Sequence, residues 1–151
     1  MTTIIVRRKA FAYITSRTRL LLFTHPLHPE AGIQVPAGSM EPGEIPVDAV
    51  LREAREETGL TTLRVDRWLG RHLLDRRPDG RDEVHDRWFF HLICDGPPPA
   101  TWRHGESTPS EGPDEFIPFD FFWADLTADL PPLIADHDHF VPDLRALLGI
   151  G

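Results

Sequence analysis

The sequence predicts an α/β protein. Three observations carry this. Short β-rich runs recur along the chain, one helix between them has clear start and stop signals, and a long hairpin pattern follows it. Residues 4–15 hold Ile4, Val6, Phe11, Tyr13 and Ile14 in partial alternation, as a strand requires. Residues 16–19 read as a turn. Residues 20–24 form a nearly continuous apolar run, expected of a strand covered on both faces. The Pro- and Gly-containing segment 25–32 is a loop, and Pro36 favours extended backbone in the residue before it.

The helix is expected over 46–58. Pro46 suits the first helical position and Gly59 the left-handed residue just past the end. Val47, Val50, Leu51, Ala54 and Thr58 share a stripe at helical spacing, which should pack on a sheet. Residues 64–74 and 86–94 are expected to pair as an antiparallel hairpin, because Pro78-Asp79-Gly80 lies between them as a turn signal. The segment 95–114 is rich in Pro, Gly and Ser and predicts a loop, either a lid or disordered. Residues 115–126 should contain a strand interrupted or ended near Pro118. Residues 133–148 predict a final helix, kinked or split by Pro142.

The length suits one domain over residues 1–151. Cys94 is the only cysteine, so no intrachain disulfide forms, which fits a reducing, cytoplasmic setting. Ile4-Ile5-Val6 followed by Arg7-Arg8-Lys9 has the wrong order and length for a signal peptide. No apolar run approaches the roughly 20 residues that span a bilayer. A net charge of -8 argues against a broad nucleic-acid surface. It does not exclude a phosphorylated small molecule, since bound cations reverse the local sign. Arginines cluster between Arg64 and Arg87, where a polyphosphate could find partners.

Chemistry concentrates in residues 38–60. Glu53, Glu56 and Glu57 stand at i, i+3 and i+4, so at about 100° per residue they share a helical face. Taken alone, such a triplet is most often a solvated face. A hard divalent cation is the natural compensation for three carboxylates held this close. Glu44 lies just before the helix, and Gly38 and Gly43 let the loop backbone approach an ion. The whole pattern decides between the two readings. Gly38, five residues, Glu44, seven residues and then Arg52-Glu53-Ala54-Arg55-Glu56-Glu57-Thr58-Gly59-Leu60 resembles the signature of the Nudix hydrolases. Every fixed position is met. Ala54 is merely small where a bulkier aliphatic is common.

The resemblance implies an α/β/α sandwich around a mixed β-sheet. It also implies Mg²⁺-dependent (or Mn²⁺-dependent) hydrolysis of a nucleoside diphosphate linked to another moiety, ADP-ribose-like, nucleotide-sugar-like or a nucleoside triphosphate. Glu53, Glu56 and Glu57, with the Gly38 backbone, are the implied metal ligands. Arg52 orients them and Glu44 supports the site. The general base is either Glu53 or a later carboxylate among Glu106, Glu111, Glu115 and Asp120, of which Glu115 is favoured. Arg71, Arg76 and Trp102 are the candidate substrate contacts, the arginines for phosphate and Trp102 for stacking on a base. The expected partner is a small nucleotide, with no membrane and no nucleic acid, and a homodimer stays open. Two alternatives share the scaffold. An isopentenyl-diphosphate isomerase is disfavoured by the position of Cys94, and a non-catalytic regulatory module by the intact glutamates.

Overall fold

The computed structural model describes residues 3–108 and 115–151. The chain runs β1 (Ile5–Ser16), β2 (Arg19–Thr24), β3 (Ala37–Ser39), α1 (Pro46–Thr58), β4 (Leu63–Asp75), β5 (Glu83–Cys94), β6 (Thr101–Thr108), β7 (Glu115–Asp125) and α2 (Val141–Leu147). The strands build one mixed seven-stranded sheet in the order β4-β5-β1-β2-β7-β6, with β3 attached to β1. The expected β4–β5 hairpin is present. The β1–β5 pair is parallel and sets Lys9 opposite Arg87, whereas the β1–β3 pair is antiparallel and sets Ala10 opposite Gly38.

Strand alternation divides the core in two. Ala10, Ala12 and Ile14 of β1, Leu21 and Phe23 of β2, and Phe90 and Leu92 of β5 pack with Ala49, Val50 and Ala54 of α1. The alternate residues Phe11, Tyr13, Leu20, Leu22 and Phe89 pack with Val141 and Leu144 of α2. A helix therefore covers each face, as the α/β/α expectation requires.

α1 has the predicted bounds. Pro46 opens it, and Gly59 closes it at φ 76° with its N–H donating to Arg55 O. Its buried stripe is rotated from the one predicted. Val47 is exposed and Leu51 only half-buried, while Ala49, Val50, Ala54, Glu57 and Thr58 face the sheet. Both sides of this contact carry buried alanines, Ala49 and Ala54 from α1 and Ala10 and Ala12 from β1. Small residues on both sides allow close approach, which brings the helix's glutamates down to β3.

Three local expectations are corrected. Residues 101–108, predicted as loop, form β6 and pair with β7, Trp102 opposite Phe121. The Trp102 ring stacks on Phe121 with centroids 5.0 Å apart, and its Nε1 donates to Thr58 O at 2.9 Å. β6 thus answers two needs at once, an aromatic to bury and unpaired carbonyls at the end of α1. β7 runs through Pro118 without ending. Its ladder to β2 begins at Asp120, so Pro118 pairs only with β6, on the other side, and its missing N–H leaves no gap. Finally, α2 starts at Val141 with Pro142 in its first turn, and residues 135–140 are turns that follow a bridge from Leu133 to Ile33. Ala135 and Asp136 take positive φ there, and His137 Nδ1 accepts the Val35 N–H at 3.1 Å. His137 is buried, and that burial is the main cause holding its pKa down at about 3. It is a neutral core histidine.

Among the described residues, no helix is long and apolar enough to cross a membrane.

Candidate active site at the start of the first helix

The loop after β3 and the first turns of α1 converge on Arg52. Its Nε and Nη2 donate to the two carboxylate oxygens of Glu44, each at 2.8 Å, a bidentate pair. Nη1 donates to Glu53 Oε1 at 2.9 Å and to Glu56 Oε2 at 3.3 Å, and Nη2 also reaches Ser39 O at 3.2 Å. One guanidinium therefore ties β3, the loop and two turns of helix together. Glu44 also accepts from the Glu41 N–H. Its carboxyl is held at about 2, first by the Arg52 hydrogen bonds and then by that backbone donor. The Arg52 guanidinium is correspondingly pushed further up.

Gly38 lies directly under Glu53. A Cβ there would overlap the Glu53 carboxylate carbon and Oε2. The signature glycine is thus explained by space, since a side chain at this position would displace the Glu53 carboxylate that rests on it.

The three glutamates do not share one environment as their spacing suggested. The Glu56 side chain is 56% exposed and that of Glu53 14%, while Glu57 is only 5% exposed as a whole residue. Glu57 lies on the same side as Ala54 and Thr58, against the sheet. Among the described residues, no group of three Asp, Glu, His or Cys side chains is gathered in metal-binding geometry. Arg52 holds Glu53 and Glu56 to itself. The donors nonetheless suit a hard divalent ion, being carboxylate and backbone oxygens beside a glycine rim.

The other predicted residues are dispersed. Arg71 is bound bidentately by Asp86, at 2.6 and 2.9 Å, and lies over the Trp88 ring. Arg76 pairs with Asp79 at 2.8 Å and lines a cavity of about 480 Å³ that also touches Gly38 and Ser39. Trp102 serves the α1–sheet contact at the other end of the helix. Asp120 is held by Arg103 at 2.7 and 3.1 Å. The side chains of Glu106, Glu111 and Glu115 lie outside the described residues.

Sequence reasoning missed several groups here. His85 and Asp86, not singled out for a role in the sequence, are buried within β5. Lys9 and Arg87 were not singled out as neighbours, because only the parallel β1–β5 register brings them together.

The NUDIX domain family model matches residues 6–144. Among solved structures, the chain is similar to a MutT NUDIX hydrolase from Burkholderia pseudomallei, with 21% identity, 91% of this chain and 97% of that one covered, and a TM-score of 0.58. It is similar to an ADP-ribose pyrophosphatase from Streptococcus suis, with 23% identity, 95% and 90% covered, and a TM-score of 0.55. It is also similar to a C. elegans Ap4A hydrolase, with 16% identity, 95% and 98% covered, and a TM-score of 0.66. At these identities the likeness speaks for the fold, and the family match supplies the rest. Signature, fold and family model agree, and the chain belongs to the NUDIX domain family, the Nudix pyrophosphohydrolases.

Proposed function

We propose that the protein is a Mg²⁺-dependent hydrolase that cleaves the diphosphate bond of a nucleoside diphosphate linked to another moiety. The reaction is assigned to the Gly38, Glu53, Glu56 and Glu57 face. The observation that carries this reading is the Arg52 clamp, which holds Glu44, Glu53 and Glu56 on one guanidinium beside the Gly38 backbone. An arginine whose donors all go to β3, the loop and two turns of one helix makes sense where those carboxylates must keep fixed positions.

Nudix hydrolases generally need a divalent metal ion. Here Glu53, Glu56, Glu57 and the Gly38 carbonyl are the oxygens that would hold it. When bound, the ion neutralises phosphate charge and favours attack by water. Arg52 keeps Glu53 and Glu56 from drifting when no ion is present. The buried Glu57 anchors the site from the sheet side. The proton of the attacking water passes to a carboxylate oxygen, of Glu53 or of Glu115. Glu115→Gln separates these: a fall in kcat of about two to four orders of magnitude assigns the proton to Glu115. A change below a few-fold returns it to Glu53 or another group.

The reading is tested with a substrate panel in Mg²⁺ and in Mn²⁺, comprising ADP-ribose, a nucleotide sugar, nucleoside triphosphates and a dinucleoside polyphosphate. Released phosphate or nucleoside monophosphate is measured. Metal-dependent release from at least one diphosphate is expected, and no release from any of them would remove the proposal. ADP-ribose and nucleotide sugars come first, because Val35-Pro36-Ala37-Gly38 resembles the entry to the signature in members acting on them, although it is not confined to those members.

A further inference from the structure

The cavity that touches Gly38 and Ser39 has an unusual lining. Lys9, Arg76, Arg81 and Arg87 all border it, with Glu30 as the one carboxylate among the lining residues. Three elements supply the cations. Lys9 comes from β1 and Arg87 from its register partner position on β5, while Arg76 and Arg81 flank the β4–β5 turn.

Arg87 is the key observation. The residue is 2% exposed, yet its contacts are to neutral groups. Nη1 donates to Ala135 O, Nη2 lies 3.4 Å from His85 Nδ1, and the guanidinium sits over the Phe11 ring. Nε is buried with no hydrogen-bond partner among the described residues. A buried charge is normally paired and a buried donor normally satisfied. Burial, and then the nearby Arg76, bring the Arg87 pKa down to about 10, with Asp136 opposing them only in part. Burial and Arg87 likewise lower that of Lys9. His85 does not relieve the charge. It is buried, its Nε2 faces Glu83 at 2.9 Å, and burial pushes its pKa down. Pinning the turn at Ala135 explains one nitrogen of Arg87. It does not explain the free Nε, nor why Lys9 and Arg87 meet Arg76 and Arg81, themselves paired with Asp79 and Glu83, around one space.

We propose that this cavity is an oxyanion site that receives a phosphate group carried on the far end of the substrate. The inference rests on the reading of residues 38–57 as the diphosphate-cleaving site. Strand β3 joins the two: Gly38 lies under Glu53, while Ala37, Gly38 and Ser39 line the cavity. Phosphate fits better than carboxylate, because it brings up to two charges and several acceptors to a set of cations. The cavity is also too large for an anion alone, which leaves room for the sugar or nucleoside that bears it. The favoured substrate is therefore a nucleoside diphosphate whose linked moiety ends in phosphate, over one ending in a neutral sugar.

Two measurements test this. The first uses metal-free protein in EDTA and titrates inorganic phosphate while following the Arg87 Nε–Hε NMR signal. The signal should move in the wild type and in Glu57→Gln, and should not move in the Lys9→Met/Arg76→Gln double variant. No movement in the wild type overturns the oxyanion site. So does movement that persists unchanged in the double variant, since phosphate would then be binding outside this set of cations. The second compares kcat/KM for a nucleotide sugar with and without a phosphate on the sugar. The double variant should lower the phosphorylated-to-neutral ratio by about tenfold or more. An unchanged ratio overturns the substrate assignment and leaves only a site for free phosphate. If neither sugar is cleaved, the substrate assignment is overturned, while the wider diphosphate panel decides the diphosphatase reading and the metal-free titration decides the oxyanion site.

Discussion

Glu57→Gln is expected to lower turnover by at least about a hundredfold while leaving the protein folded. The residue is 5% exposed and packs on the sheet side of α1 next to Ala54 and Thr58. Glutamine keeps its shape and loses its charge, so packing is preserved and the ability to hold a cation is not. The check is steady-state hydrolysis at saturating Mg²⁺, with circular dichroism and the melting temperature measured alongside. A folded variant with wild-type kcat would show that Glu57 belongs to the core alone.

Gly38→Ala is expected to damage both stability and rate. An added methyl would occupy the space of the Glu53 carboxylate, so either β3 or the Glu53 side chain must move. Overpacking of this kind costs about 1–3 kcal/mol. The movement propagates, because Glu53 shares the Arg52 guanidinium with Glu44 and Glu56. Displacing a positioned group by about 1 Å can cost about a hundredfold in rate. Chemical denaturation and hydrolysis kinetics on the same preparation separate the two effects. A variant that is destabilised but fully active would place Glu53 outside the reacting centre.

The parts of this protein that were legible in the sequence are those whose causes are local. Pro46 and Gly59 bound α1 because each acts on the backbone at its own position. The Arg52 and glutamate spacing reads directly as a cluster, since neighbours on a helix are fixed by the helical repeat. What escaped depends on contacts between distant residues. Lys9 and Arg87 meet only through a parallel pairing between strands far apart in sequence. β6 is hidden by Pro- and Gly-rich flanks, and what holds it in place is Phe121 beside it and the Thr58 carbonyl above it. The apolar rhythm of 133–148 suggested a helix kinked or split at Pro142. Its first half is held as turns by Tyr13, Val35 and Arg87, whose side chains or backbone bind the 135–140 segment. Even in the signature helix, the buried face followed the alanines of β1 rather than the largest apolar residues of the helix itself, and that rotation is what buries Glu57.

The central claim is that the α1 glutamates hold a divalent cation. Mn²⁺ titration followed by electron paramagnetic resonance, in which the signal of free aqueous Mn²⁺ is lost on binding, measures this without any substrate. Wild-type protein should bind Mn²⁺, and Glu57→Gln should bind it at least about tenfold more weakly. Equal affinity in the two proteins would contradict the assignment of the metal to this helix.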